Sequence, residues 1–178
     1  MKDDQDNALV DAVIAGDDSA FDELVLKYQR QLAALVARIT GNPGEAADVV
    51  QKVFLKAYTK LSGFKRLSTF KTWLFSIAIN LSRNALRQKK RWGIPQDIED
   101  VNPKVDDDQD ENLIRKQRRL RLNHALENLP PKQKSVVVLR IYEELSFAQI
   151  AESVGITENA AKVNFHHAVK SLKGILNE

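Results

Sequence analysis

Residues 145–162 read LSFAQIAESVGITENAAK, and this stretch decides how the C-terminal part of the chain folds. Ser146 is suited to cap a short helix, Gly155 permits a tight turn, and Thr157 can cap the helix that follows. Apolar residues recur at three- and four-residue spacing on both sides of the turn. The pattern predicts a helix-turn-helix whose two helices pack through Phe147, Ile150, Ala151, Val154, Ala161, Phe165, Ala168 and Leu172.

The second helix of this unit has an outward face that suits duplex DNA. On the predicted phasing it offers hydrogen-bond donors, cations and one methyl-bearing side chain, the groups that contact phosphates and base edges in a major groove. A plain helical hairpin is the alternative, but the glycine turn, the cap and the basic face occur together here. We expect DNA contacts from Asn159, Lys162, Val163, His166, His167 and Lys170.

Helical periodicity also dominates the N-terminal half of the chain. A short helix that includes Ile14 stops at Gly16, and a long one ends at Gly41. A third helix begins near Pro43 and places Tyr58 on its inward side. Ser68 or Thr69 caps a fourth, which runs into a basic end suited to a helix C-terminus. These four helices predict one compact domain over residues 1–92.

The distribution of charge separates the chain into three parts. Residues 1–92 carry 15 basic and 10 acidic side chains, residues 93–112 carry 1 and 8, and residues 113–178 carry 11 and 6. The middle part also lacks sustained periodicity, which is typical of a solvated linker. The sequence therefore predicts an all-α protein: two small helical domains, each with four helices, joined by a flexible acidic linker. In the second domain, the helix before the turn motif has Val136, Val137, Leu139 and Ile141 on its apolar side.

Several classes of function lack the residues that they need. The chain has no cysteine, so it forms no disulfide and no thiolate metal site. His166 and His167 are adjacent and diverge by about 100 degrees on a helix, which does not suit a shared metal ion. No nucleophile elbow, phosphate-binding loop or dinucleotide fingerprint occurs. We predict no catalytic residue, metal, cofactor or small-molecule substrate, and, without a secretory signal or membrane-spanning run, a cytoplasmic protein.

One stretch of the first domain is suited to unpaired bases. Residues 70–80, FKTWLFSIAIN, interleave aromatic and polar side chains, and a loop with further aromatic and basic residues precedes them. Single strands are held by stacking on aromatic faces beside cations. Trp73 and Phe75 fit better as core residues of a helix. Contacts with unpaired bases are therefore expected from Phe64, Lys65, Arg66 and Asn80.

Three segments together resemble the extracytoplasmic-function (ECF) sigma factors of RNA polymerase, group 4 of the sigma-70 family. Residues 47–58, ADVVQKVFLKAY, resemble the polymerase-binding helix of that family. Residues 73–80 are similar to its Trp-Leu-x-x-Ile-Ala-x-Asn signature, and residues 129–172 resemble its DNA-binding domain. The resemblance covers nearly the whole chain apart from the linker.

The resemblance implies a non-enzymatic factor that directs promoter-specific transcription initiation, with each domain in a separate role. The first domain, sigma region 2, would dock on the clamp of the largest subunit of core RNA polymerase and capture the melted -10 element. The second, sigma region 4, would read the duplex -35 element, with the polymerase flap region as a further contact. The family is commonly held inactive by an anti-sigma factor, often membrane-bound, and serves stress responses.

Residue roles follow from matched positions in the family's motifs. Asp48, Gln51 and Phe54 would lie on the polymerase-facing helix. The loop over residues 61–68 would cradle an extruded base together with Asn80. The alternative interpretation is a conventional helix-turn-helix regulator, whose first domain senses a ligand or dimerises and which acts at an operator without joining the polymerase.

Overall fold

The computed structural model describes residues 2–92 and 113–177 of the 178-residue chain. Within these ranges the structure is helical and has no strand, so the all-α prediction is confirmed. The predicted acidic linker, residues 93–112, lies outside the described residues. A short 3-10 turn, Leu61–Gly63, follows the third helix. The helices are α1 (Lys2–Ile14), α2 (Asp18–Thr40), α3 (Pro43–Lys60), α4 (Phe70–Trp92), α5 (Leu113–Glu127), α6 (Pro131–Ile141), α7 (Phe147–Val154) and α8 (Glu158–Asn177).

Side-chain caps set several helix boundaries where the sequence predicts them. The Thr69 hydroxyl accepts a hydrogen bond from the backbone N–H of Thr72 at 3.1 Å and so caps α4. Ser146 caps α7 in a reciprocal capping box with Gln149. Gly155 ends α7 with a φ of 72°, a left-handed conformation in which a glycine avoids the strain of a Cβ. These interactions are local in sequence and fix the boundaries of the helices.

The first domain packs α2, α3 and α4 around a core of aliphatic and aromatic side chains, with α1 laid across α2. The carboxylate of Asp6, only 2% exposed, accepts hydrogen bonds from Lys27 and the Tyr28 hydroxyl of α2. Val10, one turn further along α1, is fully buried. Ile14 and Tyr58, expected to face inward, are 51% and 43% exposed. In both cases the residue lies near a helix end, where fewer neighbours cover the apolar face.

The second domain packs α7 against α8 and closes them with α5 and α6. The inner faces predicted for the helix-turn-helix are buried or half-buried, and the rings of Phe147 and Phe165 meet edge to face at 5.7 Å between centroids. Ala125, Leu126 and Ala168 belong to a smaller cluster where α5 meets α8. Ile141, predicted on the apolar side of α6, is 52% exposed at the end of that helix.

The two domains pack directly against each other. Helices α2 and α4 lie against α6 and α7, and the buried apolar residues of both domains form one continuous cluster. The guanidinium of Arg38 in α2 lies 4.0 Å from the ring centroid of Tyr142. Across the same boundary, the ammonium of Lys71 is 3.5 Å from a carboxylate oxygen of Glu143. The first helix of the helix-turn-helix therefore rests on α4, the helix that carries Asn80.

Candidate nucleic-acid and polymerase interfaces

The outward face of α8 is a solvent-exposed surface with mixed donors and cations. All six side chains predicted to contact duplex DNA are exposed. The ammonium of Lys162 pairs with the Glu158 carboxylate one turn earlier, at 2.7 Å. Such an exposed pair contributes little to stability and can open when a phosphate competes for the cation. The six residues on this face are Asn159, Lys162, Val163, His166, His167 and Lys170.

Contacts at the start of α7 and at the start of α8 fix the backbone of the helix-turn-helix. Arg140 donates a hydrogen bond to the carbonyl oxygen of Leu145 at 2.8 Å, and its guanidinium lies 4.9 Å from the centroid of the Phe147 ring. Thr157 accepts a hydrogen bond from the backbone N–H of Ala160, which fixes the first turn of α8. The exposed side chains of α8 are thus carried by a helix whose first turn is capped and whose inner face is packed.

The exposed face of α3 differs in one residue from the predicted polymerase contact. Asp48 and Gln51 are exposed, but Phe54 is only 9% exposed, and its ring packs 6.3 Å from that of Phe21. Leu55, which shares the outward stripe with Asp48 and Gln51, is 65% exposed. The structure therefore places Phe54 beneath the surface as support and Leu55 on the surface itself.

Tyr58 extends this surface by one turn of α3. Its hydroxyl donates a hydrogen bond to the Asp18 carboxylate at 2.6 Å, and this bond raises the pKa of Tyr58. The contact links the end of α3 to the start of α2. An apolar side chain and a tyrosine beside polar residues are typical of protein-binding surfaces.

The loop between α3 and α4 is anchored at one end and open at the other. Leu61 and Phe64 are buried, and the Phe64 ring lies 5.0 Å from that of Trp73. Phe64 was expected to offer a free stacking face, but in this structure it is 9% exposed and supports the loop from within. Lys65 and Arg66 follow and are exposed, and Leu67 is 88% exposed.

Asn80 is exposed on α4, on the same helical stripe as the half-buried Trp73. Seven residues separate the two, which corresponds to about 10 Å along the helix axis. Phe75 is fully buried, in agreement with its expected core role. The Phe64–Trp73 ring pair and the Asn80 amide therefore lie on one side of α4.

Comparison with known proteins finds matches to both halves of the chain. Residues 24–92 match the family described as Sigma-70 region 2, and residues 119–172 match Sigma-70, region 4. The RNA polymerase sigma-H factor of Pseudomonas aeruginosa is 35% identical over 156 residues, which cover 83% of this chain and 81% of that protein. The chain belongs to the ECF group of the sigma-70 family. An ECF sigma factor directs promoter-specific initiation by core RNA polymerase, so the sigma-factor interpretation is confirmed over that of a conventional regulator.

Other relatives of this ECF sigma factor agree in sequence and fold. The ECF RNA polymerase sigma-E factor of Escherichia coli strain K12 is 34% identical over 155 residues, 82% of this chain and 81% of that protein. The structure of CnrH in complex with the cytosolic domain of CnrY superposes with a TM-score of 0.75 at 22% identity, covering 97% of both chains. RpoE in complex with the anti-sigma factor NepR from Bartonella quintana gives 0.72 at 24% identity, with 88% and 96% covered. At these identities the two structures establish the fold.

Two features of the site in this ECF sigma factor were not foreseen from sequence. The family motif points to Phe54, which is buried, whereas helical spacing from Asp48 places the neighbouring Leu55 on the exposed face. Arg66 has a φ of 55° and pairs with Asp11 of α1, 55 residues away. No sequence pattern indicates that pair. Among the described residues no group of His, Cys, Asp and Glu could hold a metal ion, and no helix is long and apolar enough to cross a membrane.

Proposed function

We propose that this sigma factor uses a different surface for each of three functions: binding to polymerase, reading the -35 element and reading the -10 element. The α3 face, with Asp48, Gln51 and Leu55, binds the clamp of core RNA polymerase, and Phe54 supports it from beneath. The exposed face of α8 reads the -35 duplex. The loop after α3, together with Asn80, reads the melted -10 element. The factor acts in the cytoplasm and has no catalytic activity of its own. The observation that carries this proposal is the exposure of all six predicted α8 residues on a helix anchored from its buried side.

The downstream surface suits an extruded base. A flipped base costs a few kcal/mol of lost stacking, which stacking on aromatic rings and hydrogen bonds to the base edge must recover. The exposed Asn80 amide can donate to and accept from such an edge. Lys65 supplies a cation for a phosphate beside the base. The rings of Phe64 and Trp73 pack beneath this surface, 5.0 Å apart between centroids.

The promoter is longer than the domain arrangement in this structure allows. The numbers in their names place the -35 and -10 elements about 25 base pairs apart, which at 3.4 Å per base pair is about 85 Å along the duplex. Here α7 rests directly on α4, and the domain boundary is closed by the Lys71–Glu143 contact. One molecule can therefore occupy both elements only after α4 and α7 separate. Binding to polymerase would supply the free energy for that separation.

An anti-sigma factor is the proposed inhibitory partner. CnrH and RpoE, whose folds this chain shares, were each determined in complex with another protein, and in the second case that protein is an anti-sigma factor. An inhibitor that bound both domains while α4 and α7 stay in contact would hide the α3 face and keep the two DNA-reading surfaces together. Such an inhibitor favours the closed arrangement only to the extent that it binds this arrangement more tightly than the open one.

The proposal is tested by transcription from a promoter library randomised in both elements, with core polymerase and the full chain. Exchanging residues 61–68 for the loop of another family member should change the preferred downstream base and leave the upstream preference intact. The double variant Lys162→Ala, His166→Ala should weaken upstream selection and leave downstream selection intact. If either change altered both elements equally, or neither, the assignment of these surfaces would be wrong.

A further inference from the structure

The exposed half of the loop over residues 61–68, between α3 and α4, is held by Asp11 of α1. The guanidinium of Arg66 donates hydrogen bonds to both carboxylate oxygens of Asp11 in α1, with 3.4 Å between Nη1 and Oδ2 for one of them. A two-pronged pair of this kind fixes the direction of the arginine side chain as well as its charge. Arg66 is therefore oriented by α1.

Arg66 also has an unusual backbone conformation. Its φ of 55° lies in the left-handed region, which is uncommon for a residue other than glycine, asparagine or aspartate. A residue with a Cβ stays there only when its surroundings hold it. The Asp11 carboxylate is the visible restraint on the Arg66 side chain, since Leu67 after it is 88% exposed.

Asp11 is itself on a well-anchored helix. One turn and a half earlier, the buried Asp6 carboxylate accepts hydrogen bonds from Lys27 and Tyr28 of α2, and Val10 inserts fully into the core. A carboxylate held in this way can restrain a loop, whereas a carboxylate on a loose terminus could not. The chain of contacts runs from the α2 core through α1 to the loop.

We propose that Asp11 is a positioning residue for downstream promoter recognition, which it influences through the shape of the loop after α3. This inference rests on the proposed role of that loop in reading the -10 element. In this role Arg66 stabilises the conformation of the loop. Its neighbour Lys65 is the cation that binds a phosphate. In the part of the chain that the structure describes, Lys65 has no ion-pair partner, which leaves its charge available.

The Arg66–Asp11 pair can influence the conformation of the loop without a large effect on the stability of the protein. The side chains of Arg66 and Asp11 are 40% and 61% exposed, and exposed pairs contribute little to the free energy of unfolding. We infer that the pair acts on the conformation of the loop, which a small free-energy bias can shift when the alternatives are close in energy. Loss of the pair should therefore alter base preference and leave the unfolding midpoint nearly unchanged.

The test compares four full-length variants in transcription with core polymerase from a library randomised in the downstream element. Asp11→Asn and Arg66→Gln should each change the ratio between the best and second-best downstream base by about three-fold, and in the same direction. The double variant should change it no further, because both substitutions remove one pair. Lys65→Gln is the matched control: it removes a neighbouring cation, so it should lower activity for every base and weaken the salt dependence, without changing the ratio.

A charge exchange provides the complementary result. Asp11→Arg combined with Arg66→Asp should restore the parent ratio, since aspartate tolerates the left-handed conformation and the pair is re-formed with opposite polarity. Asp11→Asn with the parent ratio would overturn the inference. The inference would also be overturned if Asp11→Asn bound promoter DNA with higher affinity and a steeper salt dependence. That result would show that Arg66, once released from the Asp11 carboxylate, binds a phosphate. Exchange of the whole loop, run in parallel, separates the two proposals: if it has no effect, the loop itself is not the reader.

Discussion

The Ser153 hydroxyl in α7 donates a hydrogen bond to the backbone carbonyl oxygen of Thr72 in α4, at 3.3 Å, and both residues are buried. The two are 81 residues apart in sequence and belong to different domains. Because α4 carries Asn80 and α7 packs against α8, this bond joins the two units to which we assign DNA contacts. It makes the closed arrangement of the domains a specific one, with a defined polar contact inside an apolar boundary.

Replacing Ser153 by arginine should open the domain boundary. A large charged side chain cannot be accommodated against α4 without its own desolvation cost. Loss of the hydrogen bond alone corresponds to about 1 kcal/mol, or about five-fold in the opening equilibrium. The radius of gyration from small-angle scattering should rise. The variant should also bind core polymerase at a lower protein concentration than the parent does. Ala148→Arg, at an exposed position of the same helix, is the control and should change neither.

The pH dependence of stability should carry a contribution from Glu143. Burial raises the pKa of this carboxyl above its ordinary value of 4.5, and the nearby cations of Lys71 and Arg38 oppose the shift. The folded protein therefore binds this proton more tightly than the unfolded chain, and the contribution to stability falls as the pH rises through the interval above 4.5. We expect Glu143→Gln to be more stable than the parent at pH 7, with the difference vanishing below about pH 4.5. An equal difference at both pH values in urea denaturation would contradict this.

A buried lysine gives a prediction of the opposite sign. Burial lowers the pKa of Lys134 in α6 from its ordinary value of 10.5, although the Glu127 carboxylate partly offsets the effect. The charged form is thus disfavoured in the folded state, and stability from this group should rise as the pH increases towards 10.5. Lys134→Met should stabilise the protein at pH 7 by about 1 kcal/mol, since it removes a desolvated charge and keeps the volume. Thermal unfolding at pH 7 and pH 10 measures it; a destabilised variant at pH 7 would show that the lysine is paired more strongly than its surroundings indicate.

Substitutions in α3 can distinguish exposed residues that we expect to bind polymerase from a buried residue that supports them. Leu55→Ala should change the free energy of unfolding by less than about 0.5 kcal/mol, since Leu55 is 65% exposed, but should weaken binding to core polymerase. Phe54→Ala should lower stability by about 3 kcal/mol, because its ring is buried beside Phe21. Asp48→Lys should weaken polymerase binding without unfolding the domain. The assignment fails if Leu55→Ala and Asp48→Lys both bind core polymerase as well as the parent.

Local sequence signals predicted the helices well because their determinants are local. Ser146, Gly155 and Thr157 form the caps and the turn expected of them, and Thr69 caps α4. The outward face of α8 follows from the spacing of its apolar residues, because a helix of 3.6 residues per turn leaves little freedom once its inner face is known.

The errors in the site have a different physical origin. Phe54 and Phe64 occur in segments that suggest binding, but an aromatic ring next to an available core gains more by burial than by exposure. The Asp11–Arg66 pair and the Ser153–Thr72 bond join residues 55 and 81 positions apart. Contacts of this kind depend on how finished helices pack, and no spacing within one helix encodes them.

Run-off transcription with purified core RNA polymerase tests the central claim most directly. The template should carry promoters recovered from a library randomised in both elements. We expect core polymerase with this chain to start at one defined position on such a template and core polymerase alone not to do so, and we expect Asp48→Lys to reduce the product while the protein stays folded. The contrary result would be an unchanged transcript pattern with and without the chain, together with tight binding of the chain alone to the duplex.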